Sequence, residues 1–316
     1  MSEDIKPTAG IVEYTGAKQI MQEIQEKAKN QPLIIATFNI KSKTSGKCRV
    51  YPDSPNGMQP SVTSICGALM KYGLIDWAAN CAVDYIKNAS FTAEQAEEVY
   101  AAARQAHNQI KDEAADFGTL AHLLIQLYLE HGEGVEVDDE FGRIENEDVF
   151  NKVSALYGSF KDWATKNKIE PVHTEIKLHG DGYSGRCDLI AYRTCPKTGE
   201  RRLGLYDIKT GKGQYYPEWS LQVCAYADAA DKDRSVLEST ASIYDKAIEE
   251  IGIIKLNKDT LKCNFSEQSK PKFTADRDRL TRAWGHLVKF YWEYNDLAKQ
   301  FSEIDQNSID TEPEVE

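Results

Sequence analysis

Residues 205–212, Leu-Tyr-Asp-Ile-Lys-Thr-Gly-Lys, constrain this chain more than any other segment. They read as a β-strand, and a strand points residues i and i+2 to one face, roughly 7 Å apart at the α-carbons. Asp207 and Lys209 therefore share a face. That spacing suits a division of labour: the carboxylate holds a divalent cation and the ammonium orients a water beside it. A second strand pattern, Gly-Arg-Cys-Asp-Leu-Ile at 185–190, carries Asp188, and the stretch from Thr194 to Glu200 between the two is rich in turn formers. A hairpin of this kind sets Asp188 beside Asp207 and Lys209 at one end of a sheet. Alone, Asp-x-Lys is a weak signal, since charges alternating along a solvated strand edge also produce it.

Two further elements add weight. Gly118-Thr119-Leu120-Ala121-His122 puts a glycine one helical turn before a histidine on the same face, where a missing side chain lets another backbone or a phosphate approach. In Ser220 to Ala227, Gln222 and Tyr226 lie at i and i+4 on one helical face. The order Gly-x-x-x-His, Gly-Arg-x-Asp-Leu, Asp-x-Lys-Thr, Gln-x-x-x-Tyr resembles the RecB-type branch of the PD-(D/E)XK nuclease superfamily. That branch includes phage exonucleases, the CRISPR adaptation nucleases and the mitochondrial genome maintenance exonuclease. Gln59 to Ile65 and Gly73 to Ala79 are similar to the N-terminal part of phage members, so the resemblance runs from about residue 55 to about residue 230.

The resemblance implies an α+β fold: a mixed central sheet flanked by helices, a restriction-endonuclease-like core, with an N-terminal helical arch over the site. It also implies metal-dependent hydrolysis of phosphodiesters. Hard oxygen ligands suit Mg²⁺, and a histidine ligand also admits Mn²⁺. Asp188 and Asp207 are the expected metal ligands, with the Ile208 carbonyl as a third. Lys209 is expected to hold the attacking water and stabilise charge in the transition state; as a base it would need a lowered pKa. His122 matches the histidine ligand of the branch, and Glu175 is a further carboxylate for the metal shell, with an exposed strand glutamate as its alternative. Gln222 and Tyr226 are expected on the substrate side or behind the lysine. Ser61 and Thr63 are candidate phosphate donors, although helix capping explains them equally well. Tyr215, Tyr216 and Trp219 offer rings for base stacking, with core packing the commoner use for two of the three.

Charge speaks first against a nucleic-acid enzyme, because the net charge is −12. Its distribution removes the objection. Residues 130–149 hold nine acids against Arg143, and residues 302–316 hold six acids and no base. The remainder is near neutral, which leaves room for basic patches at 41–49 and around Lys270, Lys272, Arg277, Arg279 and Arg282. No apolar run is long enough for a membrane span, and the N-terminus lacks a signal-peptide pattern, so a cytoplasmic location is expected. The seven cysteines form no C-x-x-C pair, so structural zinc is not expected. The CRISPR-type relatives hold an iron–sulfur cluster with three of four cysteines near the C-terminus, and since Cys263 alone follows Cys224 here, the resemblance implies no such cluster.

Along the chain, residues 1–32 read as an extension with a polar helix at 17–30, and 33–302 as the nuclease domain with a helical insertion at about 60–130. Residues 303–316 read as an acidic disordered tail. A strand is expected at 33–38, then a Gly/Ser/Pro-rich connection to about residue 60. Helices are expected through Tyr85, from the Thr92–Gln95 capping box to about Ile110, and separately across Phe117 to Tyr128. A surface loop at 132–146, a helix at 147–166 and strands from Val172 to Thr210 follow. Pro217 suits the first turn of the Gln222 helix. A hairpin around Asn257 and an amphipathic helix from Leu280 to Phe301 complete the pattern.

The expected activity is a metal-dependent DNA exonuclease acting on single strands or ends, in phage-like replication or recombination, with a recombination or single-strand-binding protein as a further partner. A structure-specific endonuclease, or a non-catalytic DNA-binding partner protein that keeps the fold, are the alternatives.

Overall fold

Three strands follow one another almost without interruption between residues 170 and 211, and this antiparallel block carries the acids. The computed structural model describes residues 34–36, 48–51, 54–55, 57–69, 72–132, 147–212, 215–232, 248–268 and 276–309. The expected helix at 17–30, the basic segments 41–47 and 270–272, the acidic stretch 133–146 and the end of the tail lie outside the described residues.

Strands β1 (Ile34–Ala36), β2 (Cys48–Tyr51) and β3 (Gln59–Pro60) form a small antiparallel sheet. The last two fall in the stretch expected to be a plain connection. Helices α1 (Val62–Cys66), α2 (Tyr72–Asn88), α3 (Ala96–His131) and α4 (Glu147–Lys166) follow. The main sheet comprises β4 (Glu170–Gly180), β5 (Tyr183–Thr194), β6 (Arg201–Gly211), β7 (Glu250–Asn257) and β8 (Lys262–Glu267), in that spatial order. Its pairs are antiparallel except β6–β7, which is parallel. A parallel pair needs a crossover, and α5 (Pro217–Lys232) lies in that connection. A long helix, α6 (Arg277–Ile309), closes the described chain and continues past residue 303, where the acidic tail is expected to begin.

Alternation along β6 and β7 feeds two cores. Leu203, Leu205, Ile251 and Ile253 join Val223, Tyr226, Trp284 and Leu178 on one face, under α5 and α6. Tyr206, Ile208, Ile254 and Leu256 join Leu120, Leu124, Leu156 and Phe160 on the other, under α3 and α4. Each fully buried Leu or Ile contributes about 1.5–3 kcal/mol relative to exposure, so the sheet is gripped from both sides.

Two helices expected at 92–110 and 117–128 are one helix, α3. Residues 111–116, Lys-Asp-Glu-Ala-Ala-Asp, contain no breaker, so nothing in them stops a helix that already exists on both sides. The Gln95 side chain accepts from the Thr92 N–H at 3.0 Å, the return half of the expected capping box, and the chain passes through a short 3₁₀ turn into α3. Only the second half of α3 packs on the sheet. The first half pairs with α2, and Leu74, Ile75, Trp77 and Val83 of α2 remain exposed. This α2–α3 hairpin occupies the place of the expected arch. No described helix is long and apolar enough to cross a membrane.

Candidate active site

Strand β5 turns over at Asp188. In a regular strand residues 187 and 189 share a face, yet Cys187 belongs to one core and Leu189 to the other. The β5–β6 ladder likewise ends at Leu189 and Tyr206, one residue short of Asp188 and Asp207. Where the strands part, the Asp188 carboxylate takes the place of the ladder and accepts the Ile208 N–H at 2.5 Å. The opening thus leaves no backbone donor stranded and turns a carboxylate into the gap.

Lys209 is held from two sides. Its Nζ lies 2.7 Å from Asp207 Oδ2 and donates to Gln222 Oε1 at 2.9 Å, and Gln222 Nε2 donates in turn to the Tyr226 hydroxyl at 3.0 Å. Gln222 and Tyr226 are both buried, and the Tyr226 ring packs against β5 at Gly185. Gly185 makes that possible, since a Cβ there would come within 2.2 Å of Tyr226 Cε1. Of the two places expected for Gln222 and Tyr226, their hydrogen bonds correspond to the one behind Lys209, where they fix its direction.

From the other side, α3 brings His122 to within 3.8 Å of Asp188, Nδ1 to Oδ2. Gly118 sits where α3 crosses Thr210, and a Cβ there would meet Thr210 Oγ1 at 2.9 Å. What approaches the missing side chain is the end of β6. Glu175 comes from β4, opposite Asp188 in the β4–β5 register, with a left-handed φ of +48° and its carboxylate 3.5 Å from Arg186 Nη1. Ligand atoms of His122, Glu175 and Asp188 all lie within 4.8 Å of one another. Asp207, expected with Asp188 as a metal ligand, is paired with Lys209. Its Oδ2 is buried and, apart from that ion pair, makes no well-formed hydrogen bond.

Burial weakens the solvation of these groups, and Glu175, Asp188 and Asp207 carry like charge, so their protonation is displaced. Burial, reinforced by Asp188, pushes Glu175 up to about 8 against the pull of Arg186. Burial raises Asp188 to about 6 in spite of Lys209, and does the same for Asp207. Burial holds His122 down at about 4, which leaves a neutral imidazole with a free lone pair at neutral pH. Lys209 moves the other way: burial lowers it, but Asp207 and Asp188 outweigh burial and keep its ammonium above the usual range. These residues fit a divalent cation well, as two clustered carboxylates, a neutral imidazole and an under-bonded buried carboxylate oxygen all favour one.

The remaining candidates divide. Ser61 caps α1, accepting the Ser64 N–H at 3.0 Å, and its hydroxyl also meets those of Thr63 and Ser64. It is buried and fully engaged, so capping replaces the expected phosphate contact, while Thr63 is exposed. Of the three aromatic residues, only Trp219 packs on the core. Tyr215 and Tyr216 stay exposed, edge-on to it. Arg186 was not singled out from the sequence, although the Gly-Arg-x-Asp string contains it; its pairing with Glu175 depends on strand register.

The family model of the PD-(D/E)XK nuclease superfamily matches residues 89–307, a span that holds every charged member of this site. The chain belongs to that superfamily. The match extends from α3 to α6 and includes the five-stranded sheet, which is the mixed sheet of a restriction-endonuclease-like core. It does not specify the RecB-type branch. No curated protein matches the chain.

Proposed function

We propose that this member of the superfamily is a metal-dependent deoxyribonuclease that works as an exonuclease on single strands or DNA ends. The observation that carries the reading is Lys209, clamped between Asp207 and Gln222 beside the three convergent ligands His122, Glu175 and Asp188. A divalent cation held by those ligands, with Asp207 beside them, would supply charge neutralisation at phosphorus and an acidified water. Lys209 then positions that water and stabilises the negative charge that builds on the phosphoryl oxygens. It does not act as a base, because its neighbours keep it protonated. Gln222 and Tyr226 hold the ammonium in direction, and His122 stays neutral and acceptor-ready.

The exonuclease reading is supported by the motif order that resembles phage exonucleases: Gly118 and His122, then Asp188, then Asp207 and Lys209, then Gln222 and Tyr226. The first half of α3, the helix that delivers His122, pairs with α2, which exposes Leu74, Ile75 and Trp77. Purified protein incubated with end-labelled single-stranded and duplex DNA, with Mg²⁺ or Mn²⁺ and without, tests the proposal. Mononucleotide or short-oligomer release from linear strands, with covalently closed single-stranded circles left intact, is the expected result. Opened circles would make it an endonuclease, and no cleavage with either metal would remove the catalytic reading altogether.

A further inference from the structure

Arg186 is the charged residue of the Gly185–Asp188 segment that the hydrolytic reading leaves without a task. A little over a third of its side chain is exposed, and among the described residues its five N–H donors make one long contact, Nη1 to Glu175 Oε2 at 3.5 Å. Other arginines of the same sheet are filled: Arg193 grips Glu250 with two contacts of 2.5 Å, and Arg201 grips Glu170 with contacts of 2.6 and 3.1 Å. A guanidinium fork with most of its donors open is suited to an oxyanion, carboxylate or phosphate.

Glu175 has two claims upon it. It is the partner of Arg186 and also one of the three ligands that converge with His122 and Asp188. A cation seated on those ligands draws on the same carboxylate that now holds Arg186. The charge count points the same way. Glu175, Asp188 and Asp207 set against Lys209 and Arg186 leave one net negative charge with all groups ionised, and a divalent cation turns this into one net positive charge. One phosphodiester neutralises it. Lys177, opposite Arg186 in the β4–β5 register and over the Tyr51 ring, adds a further positive charge on that side.

We infer that Arg186 is a phosphate-binding residue released by the cation. It holds Glu175 while the site lacks a divalent ion, and turns to a phosphodiester of the bound strand once an ion takes Glu175. The inference rests on the nuclease reading of the site and deepens it, because it makes strand binding conditional on metal.

The test uses the full chain with Lys209→Ala to prevent cleavage, and a short fluorescein-labelled oligothymidylate followed by anisotropy, with and without Mn²⁺. Adding Arg186→Ala is expected to weaken binding roughly tenfold in Mn²⁺ and to flatten the dependence of log affinity on log salt by about 0.7, one single-strand phosphate contact. Without Mn²⁺ it should change neither. Calorimetry with Mn²⁺ alone should show the ion bound as tightly as in the parent or several-fold tighter, since a competitor for Glu175 is gone. Arg186→Lys should restore the salt slope and part of the affinity, which a merely structural arginine would not do. Should Arg186→Ala fail to fold, Arg186→Gln removes the charge at similar size and carries the same comparison. Equal loss with and without Mn²⁺, no loss in either, or weakened Mn²⁺ binding would each overturn the exchange. A parent that neither binds Mn²⁺ nor gains DNA affinity from it would instead overturn the reading of the metal site itself.

Discussion

Two buried charge clusters share β5 and β6, and they are built on opposite principles. Around Arg193 every charge is answered. The guanidinium donates twice to Glu250 and once to Asn167 at 3.0 Å, the Tyr206 hydroxyl donates to Glu250 at 2.9 Å, and the Arg193 cation lies 4.5 Å over the Phe265 ring. Burial pulls Arg193 down, but Glu250 outweighs it and holds the group above its ordinary range. Five residues back along β5, Asp188 sits among carboxylates that outnumber their cations, and burial pushes their protonation toward higher pH. A closed network specifies where strands sit. An open one, kept at the cost of stability, is poised for something the chain itself does not contain.

The largest effect is expected on the closed side. Arg193→Ala leaves buried Glu250 only the Tyr206 hydroxyl and the 3.7 Å contact with Arg202, and breaking a buried pair this way destabilises by about 3–5 kcal/mol. Urea unfolding should show that loss, while residual folded protein keeps its Mn²⁺ affinity. A loss below about 1 kcal/mol would mean the two clusters differ less than their geometry says.

On the open side, Lys209→Ala should lower the cleavage rate on the order of 10²–10³-fold and leave folding and Mn²⁺ affinity intact. Asp188→Asn should lose both activity and Mn²⁺ binding. Equal loss of Mn²⁺ binding in the two variants would erase the division of roles between lysine and carboxylate.

The next effect is a pH dependence of the apo protein that a bound cation should remove. Glu175 titrates near 8 in the fold and near 4.5 when unfolded, so between those values the folded chain holds the extra proton and stability falls as pH rises. Asp188 and Asp207 act in the same sense up to about pH 6. His122, held at about 4, acts in the opposite sense, but only below its unfolded value of 6.5. Cys195, held down at about 7 by hydrogen bonds from Thr198 and Lys197, and Lys258, held down at about 8 by burial, act in the opposite sense in the upper part of that window, so the effect is read against Glu175→Gln. Between pH 6.5 and 8 the parent's apo stability should drop relative to that variant, by about 1.4 kcal/mol per pH unit at most. Millimolar Mg²⁺ should stabilise more at pH 8 than at pH 6.5, because the ion then meets ionised ligands. A parent that holds level with Glu175→Gln, or gains on it, over that window would show that Glu175 is already ionised.

The smallest effect concerns the helix that closes the site. Gly118→Ala gains about 0.5–1 kcal/mol of helix propensity but drives a Cβ against Thr210. Stability should barely move, while Mn²⁺ affinity falls several-fold as His122 is levered away from Asp188. Unchanged Mn²⁺ affinity would show that the Thr210 hydroxyl turns aside and leaves α3 in place.

Much of this was legible along the chain, and the elements say why. The helix at 147–166, the strand bearing Asp207 and Lys209, and the hairpin around Asn257 each carry their own periodicity or turn chemistry, which neighbouring residues suffice to encode. The order of Gly118, His122, Asp188, Asp207, Lys209, Gln222 and Tyr226 pointed to the superfamily for the same reason. Strands β2 and β3 escaped notice because two to four residues hold no period, and α3 was divided because the apolar stripe changes partner where the helix leaves α2 and meets the sheet.

What no local pattern could decide is which of these charges meet. That Asp188 turns into a gap and takes the Ile208 N–H depends on where the β5–β6 ladder stops. That Glu175 joins Asp188 and His122 while Asp207 is held by Lys209 depends on register between residues tens of positions apart. The same holds for Arg193 and Glu250, fifty-seven residues apart, whose pairing distinguishes a structural ion pair from a catalytic one. Residue type and spacing determine which chemistry the chain has to offer. Burial and through-space distance, which only the folded sheet supplies, determine which acids stay protonated, which cation stays charged, and which carboxylates converge where a cation can sit.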